Sequence, residues 1–189
     1  MTYATVAPPA AEPLTLAEVK AHLRLDGTVE DDLLSALIVA ARTHCEAMTG
    51  LSLITRTLRL YRDDWPGTGV IQIANGPVQT IENVTVYDVD GIARSVSLSG
   101  HMLDSASDPA RLLLADTPAP GRTLNGIEID FVAGFGETGA DVPDALRRAM
   151  LMHVALMYEL RGAIAADMQP AAVPVGYDRL IAPYRPARL

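Results

Sequence analysis

The sequence predicts an α+β protein: a small helical bundle of two N-terminal helices plus a long C-terminal helix, with an inserted antiparallel β-sheet and extended terminal arms. Three observations point there. Apolar residues recur at helical spacing over residues 14–50 and again after Pro143, whereas from Leu53 to Val132 they alternate with polar ones. Both ends of the chain are rich in proline and alanine and follow neither period. The expected organisation is an N-terminal arm over residues 1–13, a central domain over 14–162, and a C-terminal arm over 163–189. Within the central domain, 14–50 is helical, 51–132 is antiparallel β and 142–162 is helical.

The arm MTYATVAPPAAEP has no apolar period and should not fold alone. A short helix follows from Leu14 to Leu25. Thr15 and Glu18 spell a T-x-x-E capping box, Leu14 and Val19 stand at staple positions, and Asp26-Gly27 stops the helix. A second helix runs from about Glu30 to Thr49, with Leu33, Leu34, Leu37, Ile38, Ala41, Cys45 and Met48 on one side and Gly50 at its end. The acidic run Glu30, Asp31, Asp32 suits the positive end of that helix and is read as a solvated helix start rather than a metal site.

In the β region Leu58 and Leu60 alternate with Thr57, Arg59 and Tyr61, Ile71 and Ile73 flank Gln72, and Val84 and Val86 alternate with Thr85 and Tyr87. Turn residues at Trp65-Pro66-Gly67, Asn75-Gly76-Pro77, Asp88-Val89-Asp90-Gly91, Asp108-Pro109 and Thr117-Pro118 separate short strands, which excludes a parallel βαβ design. Asp88-Val89-Asp90 reads as a hairpin turn, although its spelling resembles part of some metal sites.

Ile127, Ile129 and Phe131 form the last strand pattern, and a helix opens at Pro143. Leu146, Ala149, Met150, His153, Val154 and Met157 make one helical face, yet Leu151, Met152, Ala155 and Leu156 make the other side apolar too. A chain this short has little material to cover both sides. A second subunit would supply the cover, which makes Leu151, Met152 and Leu156 candidate interface residues.

Between strand and helix, Gly134, Gly136 and Gly139 spell G-x-G-x-x-G. A dinucleotide site further requires the helix to begin at the pyrophosphate, an acidic residue at the end of the next strand, and more βα units. Here the helix starts only at Pro143, Glu159 lies within it, and a proline-rich tail follows. The glycines read as a strand-to-helix turn, and a small nucleotide-binding enzyme using this loop is the alternative.

The chain has 189 residues, 49% of them hydrophobic, enough for one good core with appendages, and a formal net charge of −8 that argues against wrapping nucleic acid. Cys45 is the single cysteine, so no internal disulfide or cysteine-based zinc cluster is possible, and it falls in a core stripe. His22, His44, His101 and His153 lack metal-ligand spacing, and no hydrolase, zinc-protease or P-loop motif occurs. Ser97, Ser99, His101 and Asp104 lie too close along one strand to converge as a triad. No catalytic residue, cofactor or metal is therefore expected. No leader pattern opens the chain and no apolar run reaches spanning length, so an unexported protein without a membrane segment is expected.

From Val173 onward the chain carries Arg179, Arg185 and Arg188 against Asp178 alone, a basic segment on an acidic protein. Tyr177, Leu180, Ile181 and Tyr184 add anchors of the kind peptide arms bury in partners. Tyr177, Arg179, Leu180, Ile181, Tyr184 and Arg185 are the candidate partner-binding residues.

Taken together, LTLAEVKAHLRLD (14–26), DDLLSALIVAARTHCEAMTGLSLITRTLRLYRDDWP (31–66), NGPVQTIENVTVYDVDG (75–91), IEIDFVAGFG (127–136), VPDALRRAMLMHVALMYELRG (142–162) and LIAPYR near the end resemble the head–tail connector, or adaptor, proteins of long-tailed phages and phage-derived gene transfer agents. The resemblance rests on order and spacing over residues 14–162. It implies a structural protein of a virion or phage-like particle, assembled in the bacterial cytoplasm, that forms a dodecameric ring beneath the portal protein. In this reading DNA passes through without specific binding, a downstream tail or stopper protein docks on the ring, and the C-terminal arm reaches the portal. The central sheet is an addition compared with smaller, nearly all-helical members.

Overall fold

The computed structural model describes residues 2–161 and 173–185, so the end of the expected helix at 162 and the expected C-terminal arm at 163–172 and 186–189 fall outside the described residues. The chain forms two compact units, Met1–Ala10 with Thr55–Gly134, and Ala11–Ile54 with Phe135–Leu189. We call them the sheet unit and the helical unit.

In the sheet unit the strands are β1 (Thr2–Ala7), β2 (Arg56–Arg62), β3 (Val70–Ile73), β4 (Val78–Tyr87), β5 (Ala93–Ser95), β6 (Met102–Asp104), β7 (Ala110–Leu113) and β8 (Ile127–Ala133). All pairings are antiparallel, as the alternation and turns predict. They make two sheets rather than one, a five-stranded sheet in the order β1-β2-β8-β4-β5 and a three-stranded sheet in the order β3-β7-β6. The alternating apolar positions share one core: Leu58, Leu60, Val84, Ile129 and Phe131 from the first sheet and Ile71, Ile73 and Leu112 from the second belong to a single buried cluster. Register follows the pleat, with Leu58 opposite Phe131 and Leu60 opposite Ile129.

The N-terminal arm, which should not fold alone, is held as β1 against β2. Tyr3 sets its ring edge-on to Phe131, with centroids 6.2 Å apart, and its hydroxyl accepts a hydrogen bond from the Ala74 N–H at 2.9 Å. One aromatic anchor and a backbone ladder on β2 hold a strand whose other side chains are largely exposed.

In the helical unit the helices are α1 (Leu16–Leu23), α2 (Asp31–Thr49), α3 (Asp144–Leu160) and α4 (Tyr177–Ile181). The capping box forms: the Thr15 N–H donates to Glu18 Oε2 at 2.8 Å and the Glu18 N–H donates to Thr15 Oγ1 at 3.2 Å. Arg147 of α3 pairs with Glu18, tying the start of α1 to α3. Gly50 ends α2 at φ 68, a left-handed conformation that glycine adopts without strain. Leu34, Ile38, Ala41, Cys45, Leu146, Ala149, Met150, Val154 and Met157 form the core between α2 and α3. The chain leaves this unit after Ile54 and re-enters at Phe135, whose N–H donates to the Leu53 carbonyl at 3.2 Å.

The C-terminal segment differs from the expectation of a stretch without helical structure. α4 covers Tyr177–Ile181, and both of its anchors, Tyr177 and Ile181, are fully buried in the helical core.

Candidate assembly surfaces

On α3 the residues predicted for the core face, Leu146, Ala149, Met150, His153, Val154 and Met157, are all buried. The opposite face carries Leu151, Met152, Ala155 and Leu156, each half-buried. Leu151 rests against the edge of the helical core, whereas Met152 and Leu156 lie outside it. Leu33 and Met48 of α2, 36% and 41% exposed, add apolar surface beside the buried stripe of that helix. Half-covered aliphatic groups of this kind are what subunit contacts bury.

The candidate partner-binding residues divide sharply. Tyr177 and Ile181 are spent inside the helical unit, Leu180 and Tyr184 are half-buried against its core, and Arg179 is exposed. Arg185 Nη2 donates to Asp178 Oδ1 at 2.5 Å, closing a short ion pair within the segment. Of these residues, Tyr177 and Ile181 are the buried side of a helix docked on the core.

The glycine loop has no cradle for a phosphate. A Cβ on Gly136 would lie 2.4 Å from the Asp141 carboxyl carbon, and one on Gly139 would lie 2.4 Å from the Pro13 carbonyl oxygen. The Asp141 carboxylate accepts from the Thr138 N–H at 2.9 Å and from its hydroxyl at 2.8 Å, and these bonds hold the Asp141 carboxyl below the usual range. A carboxylate therefore occupies the side of the loop where a pyrophosphate would need N–H donors. Gly136 and Gly139 are small because protein atoms fill the space beside them.

Other suspected sites resolve into structural contacts. Asp88 Oδ1 accepts from the N–H groups of Asp90 at 3.0 Å and Ile92 at 2.9 Å, the chief cause of its lowered carboxyl titration and the mark of a side-chain-stabilised turn. Asp104 holds Ser107 and Arg111, its carboxyl lowered to about 2, while His101 Nδ1 lies 2.6 Å from the Leu98 carbonyl oxygen. Glu30 pairs with Arg161 at 3.1 Å and accepts from the Tyr158 hydroxyl. Among the described residues no cluster of His, Cys, Asp and Glu could hold a metal ion, and no helix is long and apolar enough to cross a membrane. Two concavities on the sheet unit, one of about 250 Å³ lined by Val70, Met102 and Leu113 among others and one of about 300 Å³ lined by Asp63, Asp64 and Trp65 among others, contain neither histidine nor cysteine.

One buried polar cluster was not legible in the sequence. His44 on α2, His153 on α3 and Tyr177 on α4 meet ring to ring, with centroids 4.9 Å apart for the histidines and 5.6 and 5.5 Å from each histidine to Tyr177. Only their separation along the chain concealed it. Alone, His153 reads as part of a core face and Tyr177 as a partner-binding anchor.

No curated protein matches the chain. Among solved structures, the chain is similar over its full length, and over 97% of the matched chain, to a protein of the neck of an empty gene transfer agent (GTA) particle computed with C6 symmetry, at 30% identity and a TM-score of 0.82. The same identity and coverage hold for a chain in the virion of a native GTA particle, with a TM-score of 0.80, and for one in the neck of a native GTA particle computed with C12 symmetry, with a TM-score of 0.74. Residues 13–112 match the family described as phage gp6-like head-tail connector protein. With more than half of its length matched to that family and all of it superposable on neck proteins, the chain belongs to the phage gp6-like head–tail connectors.

Proposed function

We propose that the protein is a structural connector subunit in the neck of a phage-like particle, where copies close into a dodecameric ring between the portal and the tail. The observation that carries this reading is the end-to-end likeness, at 30% identity, to a chain in a neck solved with C12 symmetry. Ring closure needs two different complementary surfaces on each subunit. The apolar outer face of α3, with Met152 and Leu156, supplies one of them. A net charge of −8 suits a conduit, since carboxylates along a lumen repel phosphate and let DNA slide without salt-dependent capture. The ring contacts the portal on one side through the C-terminal segment and offers a platform for a tail or stopper protein on the other.

The test is to mix the purified protein with its portal protein and image the product. A ring of twelve connector copies on the portal is expected. Met152→Glu with Leu156→Lys should keep the native circular dichroism spectrum and fail to join the ring. Unfolding of that variant would assign the face to the protein's own core, and unimpaired rings would place the subunit contact elsewhere.

A further inference from the structure

Three aromatic rings from three helices converge in the helical unit, and two of them are imidazoles in contact. His153 and Tyr177 are fully buried and His44 is half-buried. Two imidazoles whose centroids lie 4.9 Å apart cannot both carry charge without strong mutual repulsion, and burial disfavours charge on either. The titration of His44 is shifted below its ordinary value near 6.5, chiefly by burial, with Arg185 adding to the shift and Asp178 opposing it. Tyr177 of α4 touches both rings and hydrogen-bonds with Cys45 of α2, on which Glu46 also acts electrostatically. Burial pushes the Cys45 thiol up to about 11 and the Tyr177 hydroxyl upward as well, so both stay protonated through the neutral range.

The lid over this pair is slight. α4 has five residues, far fewer than an isolated helix needs, and it is held by two fully buried side chains, Tyr177 and Ile181, with Leu180 and Tyr184 half-buried beside them. Gly176 enters it at φ 95, with nothing within 4 Å of a would-be Cβ. We propose that α4 is a releasable latch, closed over the neutral His44–His153 pair and lifted off, with Tyr177 and Ile181, when the imidazoles take up protons. In the closed state the segment keeps its two fully buried anchors to itself. Release exposes them to solvent.

The sign follows from where the proton binds more readily. The open form lets an imidazole reach water and protonate near its ordinary value, while the closed form resists protonation until a lower pH. Closure is therefore at full strength above about pH 6.5 and weakens as the pH falls below it, by up to about tenfold in the open-to-closed ratio per pH unit for each proton excluded. The latch stands on the helical unit alone and needs no partner, so its failure would leave the connector assignment untouched.

Cys45, the only cysteine and fully buried beside Tyr177, reports opening in the intact protein. Its rate of reaction with dithiodipyridine is measured across mildly acidic to mildly alkaline pH and divided into the rate for the denaturant-unfolded chain at the same pH, which cancels the thiol's own titration. The resulting protection should be level in the alkaline range and fall by about tenfold per pH unit below about pH 6.5, while far-ultraviolet circular dichroism stays native. His44→Gln with His153→Gln should abolish that slope, and if this variant does not fold the wild-type profile decides alone. Protection that stays level into acid, that falls only together with the dichroism signal, or that keeps its slope in the folded double variant would overturn the latch.

Discussion

Arg59 on β2 and Asp130 on β8 stand directly opposite each other, and the guanidinium donates to both carboxylate oxygens, from Nε to Oδ1 at 2.6 Å and from Nη2 to Oδ2 at 2.8 Å. The same guanidinium holds Glu128 through Nη1 at 2.8 Å. One cation thus neutralises two carboxylates on the same face of one strand, whose side chains are only 13% and 15% exposed. Arg59→Ala would leave Glu128 and Asp130 as neighbouring like charges with little water. The expected loss is about 2 kcal/mol of unfolding free energy, read from the urea midpoint, and Arg59→Lys should recover only part of it because an ammonium cannot reproduce the fork.

The start of α1 should carry a pH signature. Hydrogen bonding from the Thr15 N–H, first among several causes that include Arg147, lowers the Glu18 carboxyl below its ordinary value of 4.5. A depressed carboxyl contributes stability above its unfolded value and loses it as the pH falls through the folded one. The stability gap between wild type and Glu18→Gln should therefore be constant above about pH 5 and close in stronger acid. Thr15→Ala, which removes the reciprocal cap, should cost about 1 kcal/mol near neutrality. Thermal melts across pH measure both.

The loop at Gly134, Gly136 and Gly139 should bind no nucleotide. Calorimetry with nicotinamide, flavin and adenine nucleotides should give no specific heat, and Gly136→Val should act on stability alone, by about 1–3 kcal/mol as the side chain collides with Asp141. A micromolar dissociation constant abolished by that substitution would contradict the filled loop.

Removing residues 174–189 should now do two things at once. Loss of the buried Tyr177 and Ile181 should lower stability, and Tyr177→Ala alone should cost about 3 kcal/mol in chemical denaturation. Co-purification with the portal should fail as well. Arg179→Ala, at an exposed position outside the core, separates the effects: stability should hold within about 0.5 kcal/mol while portal binding weakens.

Features governed by neighbours in sequence were legible. The Thr15–Glu18 box, the Gly50 stop and the two-sided apolar pattern of α3 each depend on residues within a few positions of one another, and each stands where the spacing puts it. What escaped depends on distant contacts. β1 has one large anchor, Tyr3, whose worth is visible only beside Phe131. Ile71 and Ile73 alternate just as Val84 and Val86 do, and alternation cannot say that the two pairs belong to different sheets. α4 carries two anchors four residues apart with Pro174 and Pro183 on either side, too little for a helical period. The imidazole pair joins positions more than a hundred residues apart.

The bond between Phe135 and Leu53 has an evolutionary consequence. The helical unit closes its own backbone at the point where residues 55–134 are inserted, since Leu53 and Phe135 both belong to it. Such a junction is a natural place for a module to be gained or exchanged. β1 is a stitch against casual shuffling: the inserted cassette relies on the far N-terminus for its edge strand. A transplanted sheet would have to bring residues 2–7 with it or leave the ladder of β2 open to pairing with a stranger.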